Sequence, residues 1–497
     1  MNIKLIIIIL LIVPLLAALS SFIVKNKRFA EYVSLISSSL DLAGAFYILY
    51  FVLKFKSILF FNNGIAIDKF SAYLILLVSI VYFLSSIYSI SYMRLAIDNE
   101  KMTENEFFRY ELFFNLFAFT MFIAPMINNM AIYLIDIELT TITSSFLVIS
   151  EVTEKSIEAA WKYVLVVSSG ISLALLGTIL FYLSGNIPGS PNLVSSLDWT
   201  VLTQNAVYLN EGIVRIAFVL IVIGLGTKVG LAPMHTWVPD AYSEAPSPVS
   251  AMLSASLENV ALYGIIRYFG IAAKNLGFGY PDAILISIGI FSIFIGIMGL
   301  IYQKSSKRLF AYSSIEHMGI ITLGFGLGGI FGTFGALLQM LGHTLTKSTM
   351  YFGAGNFLHK FKTKNIKKIK GVFHIMPKTA FLFSFGTVSL IGVPPSVIFI
   401  SEFLIILQSL KDGYYWITVL LIGFLLAAFI SLLSKSGSMV FGNAEDNNII
   451  EKGDFHPFSY IPMLIPLCLS LFLGFYIPSS LHNLLLGIVH IINFKIK

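Results

Sequence analysis

Only 12% of the 497 residues are charged, and only one, Cys468, is a cysteine. A single thiol excludes an intrachain disulfide and any thiolate-ligated zinc or iron–sulfur site. Cys468 lies inside the apolar run from Ile461 to Phe475 and reads as a small buried hydrophobe. The sequence also lacks a G-x-G-x-x-G motif with its following acid, a cysteine cluster and an axial-ligand pair in a haem context. No cofactor or metal is therefore expected in this chain. The excess of Lys and Arg over Asp and Glu, 32 against 26, does not imply nucleic acid, because basic connections are ordinary in membrane chains.

What is abundant is apolar surface: 57% of the residues are hydrophobic and the mean hydropathy is +0.87. That share is enough for about fourteen bilayer crossings of ~20 residues. The fold class is an all-α polytopic membrane protein. Apolar runs bounded by charge place spans near 5–24, 30–53, 71–94, 111–128, 130–149, 161–183, 213–234, 248–271, 281–302, 307–329, 331–356, 377–409, 414–436 and 457–477. The segment 480–493 reads as an interfacial helix. The first run, behind Lys4, has no small-x-small cleavage pattern and is kept as a span. No stretch reads as a soluble domain; the longest connections are 184–212 and 437–456.

Orientation follows from alternate connections. One side collects twenty Lys and Arg residues, among them Lys360, Lys362, Lys364, Lys367, Lys368 and Lys370, and the other side eight. The first side is expected to be cytoplasmic and the amino terminus external.

Within the spans stand ten ionisable residues: Asp41, Asp136, Glu138, Lys228, Glu258, Glu316, His317, His343, Lys347 and Glu402. A charge at mid-membrane costs about 2.5–3.5 kcal/mol on insertion scales, so each is either functional, a snorkelling residue near a span end, or half of a structural ion pair. Asp41 reads as structural, because nothing near it in sequence supplies a chain of partners. Glu151, Glu154, Glu158, Asp240 and Glu244 read as solvated loop charges.

Two charged spans are also broken. Lys228 stands five residues before Pro233, and Glu402 comes after Pro394 and Pro395. Proline in a span frees carbonyls that must line a cavity or meet water, so breaks beside charges mark an ion path. The offsets 402 − 228 = 174 and 316 − 138 = 178 fit two inverted five-helix repeats containing the broken helices 7 and 12. The resulting division is 1–110 as flanking helices, 111–271 as the first repeat, 281–436 as the second, and 437–497 as a last helix and tail. His343 and Lys347, four apart, share a helix face. Histidine suits a relay between carboxylates and lysines, although a hydrogen-bonded packing role remains open for His317 and His343.

The stretch KVGLAPMHTWVPDAYSEAPSPVSAML, from Lys228 to Leu253, resembles the signature of the antiporter-like subunits of respiratory complex I, membrane-bound hydrogenases and Mrp sodium/proton antiporters. The likeness runs over roughly 110–440. IDIELTTITSSFLV, SIEAAWKYVLVVSSGISLALLGT, KRLFAYSSIEHMGII and HTLTKSTMYFGAGN are similar, more narrowly, to component F of the hydrogenase-4 type. The resemblance implies that Glu138 and Lys228 are the switching pair of the fifth and seventh spans. It implies that His317 and His343 are central relay histidines and Glu402 the exit residue of the twelfth span, with Lys347 beside His343. It leaves one departure: the family's eighth-span lysine falls on Asn259 in LENVALYG, and Glu258 is turned ~100° away on a regular helix.

The function this implies is a proton- or sodium-translocating subunit of a complex I-like or hydrogenase-type oxidoreductase, with the redox centres in partner subunits. Two alternatives stay open: a redox-independent antiporter or inorganic-carbon-uptake membrane subunit, and a structural anchor that no longer pumps. The expected partners are other membrane subunits, H⁺ or Na⁺ and lipid, in the cell membrane. Lacking the long lateral arm of the family's terminal subunit, the chain is expected to be an internal or hydrogenase-type member.

Overall fold

The computed structural model describes residues 3–186, 194, 196–443 and 450–492. The chain opens with α1 (Ile3–Val24) and α2 (Lys27–Phe55), joined to α3 (Lys69–Asp98) by a small antiparallel hairpin of β1 (Ile58–Phe60) and β2 (Ile65–Ile67). Next come α4 (Glu104–Ile123), α5 (Met130–Val148), α6 (Glu154–Ser184), the short α7 (Trp199–Gln204) and α8 (Glu211–Val229). Beyond a break lie α9 (Val238–Glu244), α10 (Ser247–Met252), a π turn at Leu253–Leu257, and α11 (Glu258–Leu276). The second half runs through α12 (Gly279–Tyr302), α13 (Ser306–Leu327), α14 (Gly329–Phe361), α15 (Val372–Ile375) and α16 (Pro377–Leu390). It closes with α17 (Val397–Lys411), α18 (Tyr415–Phe441), α19 (Ile461–Phe475) and α20 (Ser479–Ile492).

This is an all-α polytopic membrane architecture. Among the described residues ten helical segments are long and apolar enough to cross a bilayer. The bent pair α19 and α20, at 80° to each other, makes an eleventh if taken as one span. Helices α13 and α14, 22 and 33 residues long, are not among the ten. Glu316, His317, His343 and Lys347 dilute their hydropathy, and they are instead buried inside the bundle. The break at 391–396 likewise splits α16 from α17.

Helix starts obey capping chemistry. Thr103 and Glu106 form a reciprocal capping box on α4, as do Thr153 and Ser156 on α6. Asp68 caps α3 by accepting from the backbone N–H groups of Phe70 and Ser71, both at 3.0 Å. The same carboxylate takes both arms of the Arg267 guanidinium at 2.7 Å, tying α3 to α11. Burial pushes the Asp68 carboxyl up, but Arg267 and the two N–H donors outweigh it and hold the group below the ordinary carboxylate range.

Asp68→Asn keeps the cap and removes the charge. Since the pair is 16% and 25% exposed, the expected loss is about 2 kcal/mol, between the values for exposed and fully buried pairs. Because the folded group is depressed, its stabilisation is present above the unfolded value and lost as pH falls through the folded one. Thermal unfolding in detergent should therefore separate wild type from variant at neutral pH, and the gap should close in acid below about pH 4.

Cys468 is exposed, which corrects its reading as a buried side chain. On α19 the residues Met463, Leu467 and Ser470 face the bundle, and helical periodicity turns Leu464 and Cys468 outward, toward the lipid side. The hairpin at 58–67 is a second feature that apolar runs alone do not announce. Parts of both long connections, 187–193 with 195 and 444–449, lie outside the described residues.

Candidate ion-translocation site

Helices α6 and α8 meet backbone to backbone. At Gly224 a Cβ atom would sit 2.5 Å from the backbone nitrogen of Ala174 and 2.6 Å from the carbonyl oxygen of Gly170. This close approach sets Lys228, fully buried on the last turn of α8, against α5 and α6. Its Nζ donates to Thr141 Oγ1 at 2.8 Å and to Tyr163 Oη at 2.7 Å, and lies 5.0 Å from the Tyr163 ring centre. Gly230, at φ +82°, ends the helix, and Pro233 lies in the break just beyond it. The Thr227 carbonyl at this end accepts from Trp237 Nε1 at 2.8 Å as well as from the Gly230 N–H at 3.2 Å.

Glu138 and Asp136 share this region but do not touch Lys228, which among the described residues takes part in no ion pair within 4.0 Å. Glu138 Oε1 accepts from Ser168 Oγ at 2.5 Å, and its Oε2 is buried without a hydrogen-bond partner, as is Asp136 Oδ2. In this structure Glu138 and Lys228 are thus each held by hydroxyls rather than by one another.

The second group lies at the π turn. A π turn admits one extra residue and rotates the register of the residues beyond it. Its carbonyls are met by side chains: Leu253 accepts from Tyr242 Oη at 3.2 Å, Ser254 faces His343 Nε2 at 3.1 Å, and Ala255 accepts from Thr344 Oγ1 at 3.0 Å. In consequence Glu258, not Asn259, meets the centre. Glu258 Oε2 lies 3.3 Å from His343 Nε2, while Tyr242 donates to Glu258 Oε1 at 2.7 Å. Asn259 is occupied elsewhere, donating to the Ala255 carbonyl and to Thr344 Oγ1, each at 3.0 Å. Between the two groups the Tyr163 ring packs on Trp237 at 4.4 Å, and Trp237 on Tyr242 at 5.7 Å. Helix α9, the segment after the break, therefore leads from Lys228 to Glu258.

The third group continues along α13 and α14. The rings of His343 and His317 are 5.5 Å apart, and His317 Nε2 is 3.7 Å from Glu316 Oε2. His317 Nδ1 faces Gln339 Nε2 at 3.3 Å, and Gln339 Oε1 accepts from Ser401, the neighbour of Glu402. Lys347, fully buried, donates to the Phe310 carbonyl at 3.1 Å. Glu402 is buried on α17 just past the break that holds Pro394 and Pro395. Its Oε2 fills the space that a Cβ on Gly392, at φ +68°, would take.

All seven residues singled out from the sequence lie within the bundle, and Glu258, His317 and His343 come together at its centre. Sequence reasoning missed Tyr242, Gln339 and Ser401 as links, and left Glu316 and Asp136 without a role. The polar uncharged links carry no hydropathy signal, since Ser, Tyr and Gln in a span are ordinary.

A helical membrane protein with two interrupted helices and a line of buried carboxylates, lysines and histidines is built to move ions. The transmembrane model of the NADH:quinone oxidoreductase/Mrp antiporter family matches residues 127–431, and the chain belongs to that family. It is 33% identical over 457 residues to the hydrogenase-4 component F homolog of Methylacidiphilum infernorum, covering 92% of this chain and 93% of the relative. Its fold matches a chain of the archaeal membrane-bound sulfane sulfur reductase with a TM-score of 0.86, at 23% identity over 98% of this chain and 97% of that one. A chain of the Mrp complex from a Dietzia species matches with a TM-score of 0.85, at 17% identity over 98% of this chain and 97% of that one.

Proposed function

We propose that the chain is an ion-translocating membrane subunit of a hydrogenase-type or complex I-like oxidoreductase, moving protons while partner subunits carry the redox centres. The chain itself then holds no redox cofactor. The observation that carries this reading is the Glu258–His343 contact at the π turn, joined through Tyr242 toward Lys228 and through His317 and Gln339 toward Glu402. It supports a relay despite Asn259, and so weighs against a purely structural anchor.

In this reading Glu138 and Lys228 form the switch. Moving one charge against ~150 mV costs ~3.5 kcal/mol, and an ion pair at ~4 Å contributes about 4 kcal/mol at an effective dielectric of ~20. Closing or opening one pair is therefore of the right size. With the pair closed, Lys228 keeps its proton; with it open, the lysine loses the stabilising carboxylate and the proton moves toward Glu258 and His343, then past His317 to Glu402. The two breaks support reading the switch and the exit as corresponding parts of 111–271 and 281–436, two inverted repeats. Sodium in place of protons, in a redox-independent antiporter, is the second reading, favoured by the fold shared with the Mrp chain.

Purification of the tagged chain from native membranes should bring down further membrane subunits and a redox enzyme, and electron donors should acidify inverted vesicles containing it. A chain that purifies alone and responds to no donor would sink the redox reading. We place it in the cell membrane with the amino terminus outside. Lys155, Lys162, Lys304, Arg308 and Lys364 line one cavity of about 700 Å³, as expected if they share the cytoplasmic side. With Cys468→Ser removing the other thiol, Thr363→Cys should resist an impermeant thiol reagent added to intact cells. Reaction from outside would invert the topology.

A further inference from the structure

Helices α2, α3 and α4 hold a set of polar groups that lies wholly before residue 127, where the family match begins, and that the relay does not use. Asp41 on α2 is 0% exposed, and neither of its carboxylate oxygens has a hydrogen-bond partner. Ser37 sits one turn before it on the same face. Tyr82 on α3 donates toward Ser37 Oγ at 3.2 Å and also to Asn115 Oδ1 on α4. Asn115 donates to Ser34 Oγ at 2.9 Å, and Ser34 donates to Glu111 Oε2 at 2.5 Å. Glu111 is 3% exposed. Beyond it, Glu31 pairs with Arg94 at 2.5 Å, and the Arg94 side chain, 47% exposed, reaches water.

Buried polar groups are nearly always partnered, and an isolated ionised carboxylate in apolar surroundings is among the costliest arrangements a protein can hold. The charged or titratable groups near Asp41 are few. Helix α3 offers Tyr82, α4 offers Glu111, and its own helix Glu31. The one charge on α1, Lys4, lies over the Phe60 ring instead. Among the described residues no cation pairs with Asp41 within 4.0 Å, and hydroxyl groups that can hand on a proton approach it.

We propose that Asp41 is a proton-binding carboxyl of the amino-terminal helices, separate from the antiporter relay, loaded from the water-facing Glu31–Arg94 end through Glu111, Ser34, Asn115, Tyr82 and Ser37. On release the Asp41 O–H bond breaks as its proton passes to Ser37, Ser37 gives one to Tyr82, Tyr82 gives one to Asn115 Oδ1, Asn115 gives an N–H proton to Ser34, and Ser34 gives one to Glu111, the last three transfers following hydrogen bonds already in place. Each hydroxyl is thereby restored and Asn115 returns from its imidic-acid form to the amide. Loading runs the same transfers in reverse, and nothing is oxidised or reduced. Asp41 thus differs from a structural residue: hydroxyl and amide groups that bond one another lead from its surroundings to the surface, while its own oxygens take no hydrogen bond.

The test uses infrared pH-difference spectra of the assembled membrane complex. A carboxylic-acid C=O band that Asp41→Asn removes is expected; no such band would overturn the proposal. Tyr82→Phe preserves the ring and deletes the bridging hydroxyl, and should slow the deuterium shift of that band on transfer to D₂O on the order of tenfold. Exchange as fast as in the wild type would overturn the route. A second measurement needs no variant. Dicyclohexylcarbodiimide, an apolar reagent that adds to protonated carboxyls, can approach along the groove of about 400 Å³ between α1 and α2 that Val13, Ile36 and Ser37 line. The tryptic peptide Phe29–Lys54 holds Glu31 and Asp41 as its only carboxylates. An adduct on Asp41 that declines as pH rises supports the proposal, and an adduct confined to Glu31 contradicts it. None of these readouts depends on whether the chain pumps.

Discussion

Lys228→Met is expected to abolish ion translocation by the assembled complex while leaving assembly intact, and Lys228→Arg to fail nearly as badly. Lys228 Nζ is fully buried and held by two hydroxyls, Thr141 and Tyr163, rather than by a carboxylate. A methionine fills most of the same volume, and hydroxyls can turn to other acceptors: Tyr163 already faces Ser144 Oγ at 2.8 Å. Arginine keeps the charge, but a guanidinium with a pKa above ~12 does not release a proton on cue. A purely structural cation predicts the reverse order, in which Arg rescues and Met destabilises by leaving Glu138 and Asp136 without a countercharge. Gradient formation in inverted vesicles, paired with a thermal-stability check on each variant, separates the two.

The second large effect is expected at Glu258. Glu258→Gln retains an acceptor for the Tyr242 hydroxyl, so the bundle should tolerate it, but the amide cannot exchange a proton with His343 across the 3.3 Å contact. Translocation should fall by at least the ~10²-fold typical of losing a positioned acid–base group, with electron transfer in the partner subunits less affected. Glu258→Leu should be worse in a different way, because it removes the shorter of the two acceptors of the Tyr242 hydroxyl, leaving only the Leu253 carbonyl, and costs about 1 kcal/mol of stability. Asn259→Asp, one residue along, should do little for the relay, since that side chain is turned toward Thr344.

These two sites show where the sequence is legible. Hydropathy and charge reveal the helices and isolate the ionisable residues buried in mid-span, because a bilayer tolerates few charges, and the prolines at 233, 394 and 395 mark both breaks; Glu31, Glu111, Lys307 and His359, buried at the ends of the apolar runs, escape that reading. What a linear pattern cannot express is a change of helical register. On a regular helix Glu258 points ~100° away from Asn259, and only the π turn at 253–257 shows why Glu258 meets His343. Asp41 presents the same limit in another form. The groups leading to it alternate between Ser34 and Ser37 of its own helix and Tyr82, Asn115 and Glu111 of α3 and α4, across separations of 33 to 81 residues. Cys468 reads as buried from its neighbours' apolarity, yet in a membrane the outward face is apolar too, so hydropathy loses the inside–outside contrast it has in water.

The central claim is that charge moves along the line from Lys228 through Glu258, His343 and His317 to Glu402. Its most direct test is a stoichiometry: protons and sodium ions moved per electron pair by the purified complex in proteoliposomes, for wild type and for Glu258→Gln. The account predicts that wild type moves protons and that the variant, with electron transfer retained, moves fewer of them per electron pair. An unchanged proton count in the variant would contradict it.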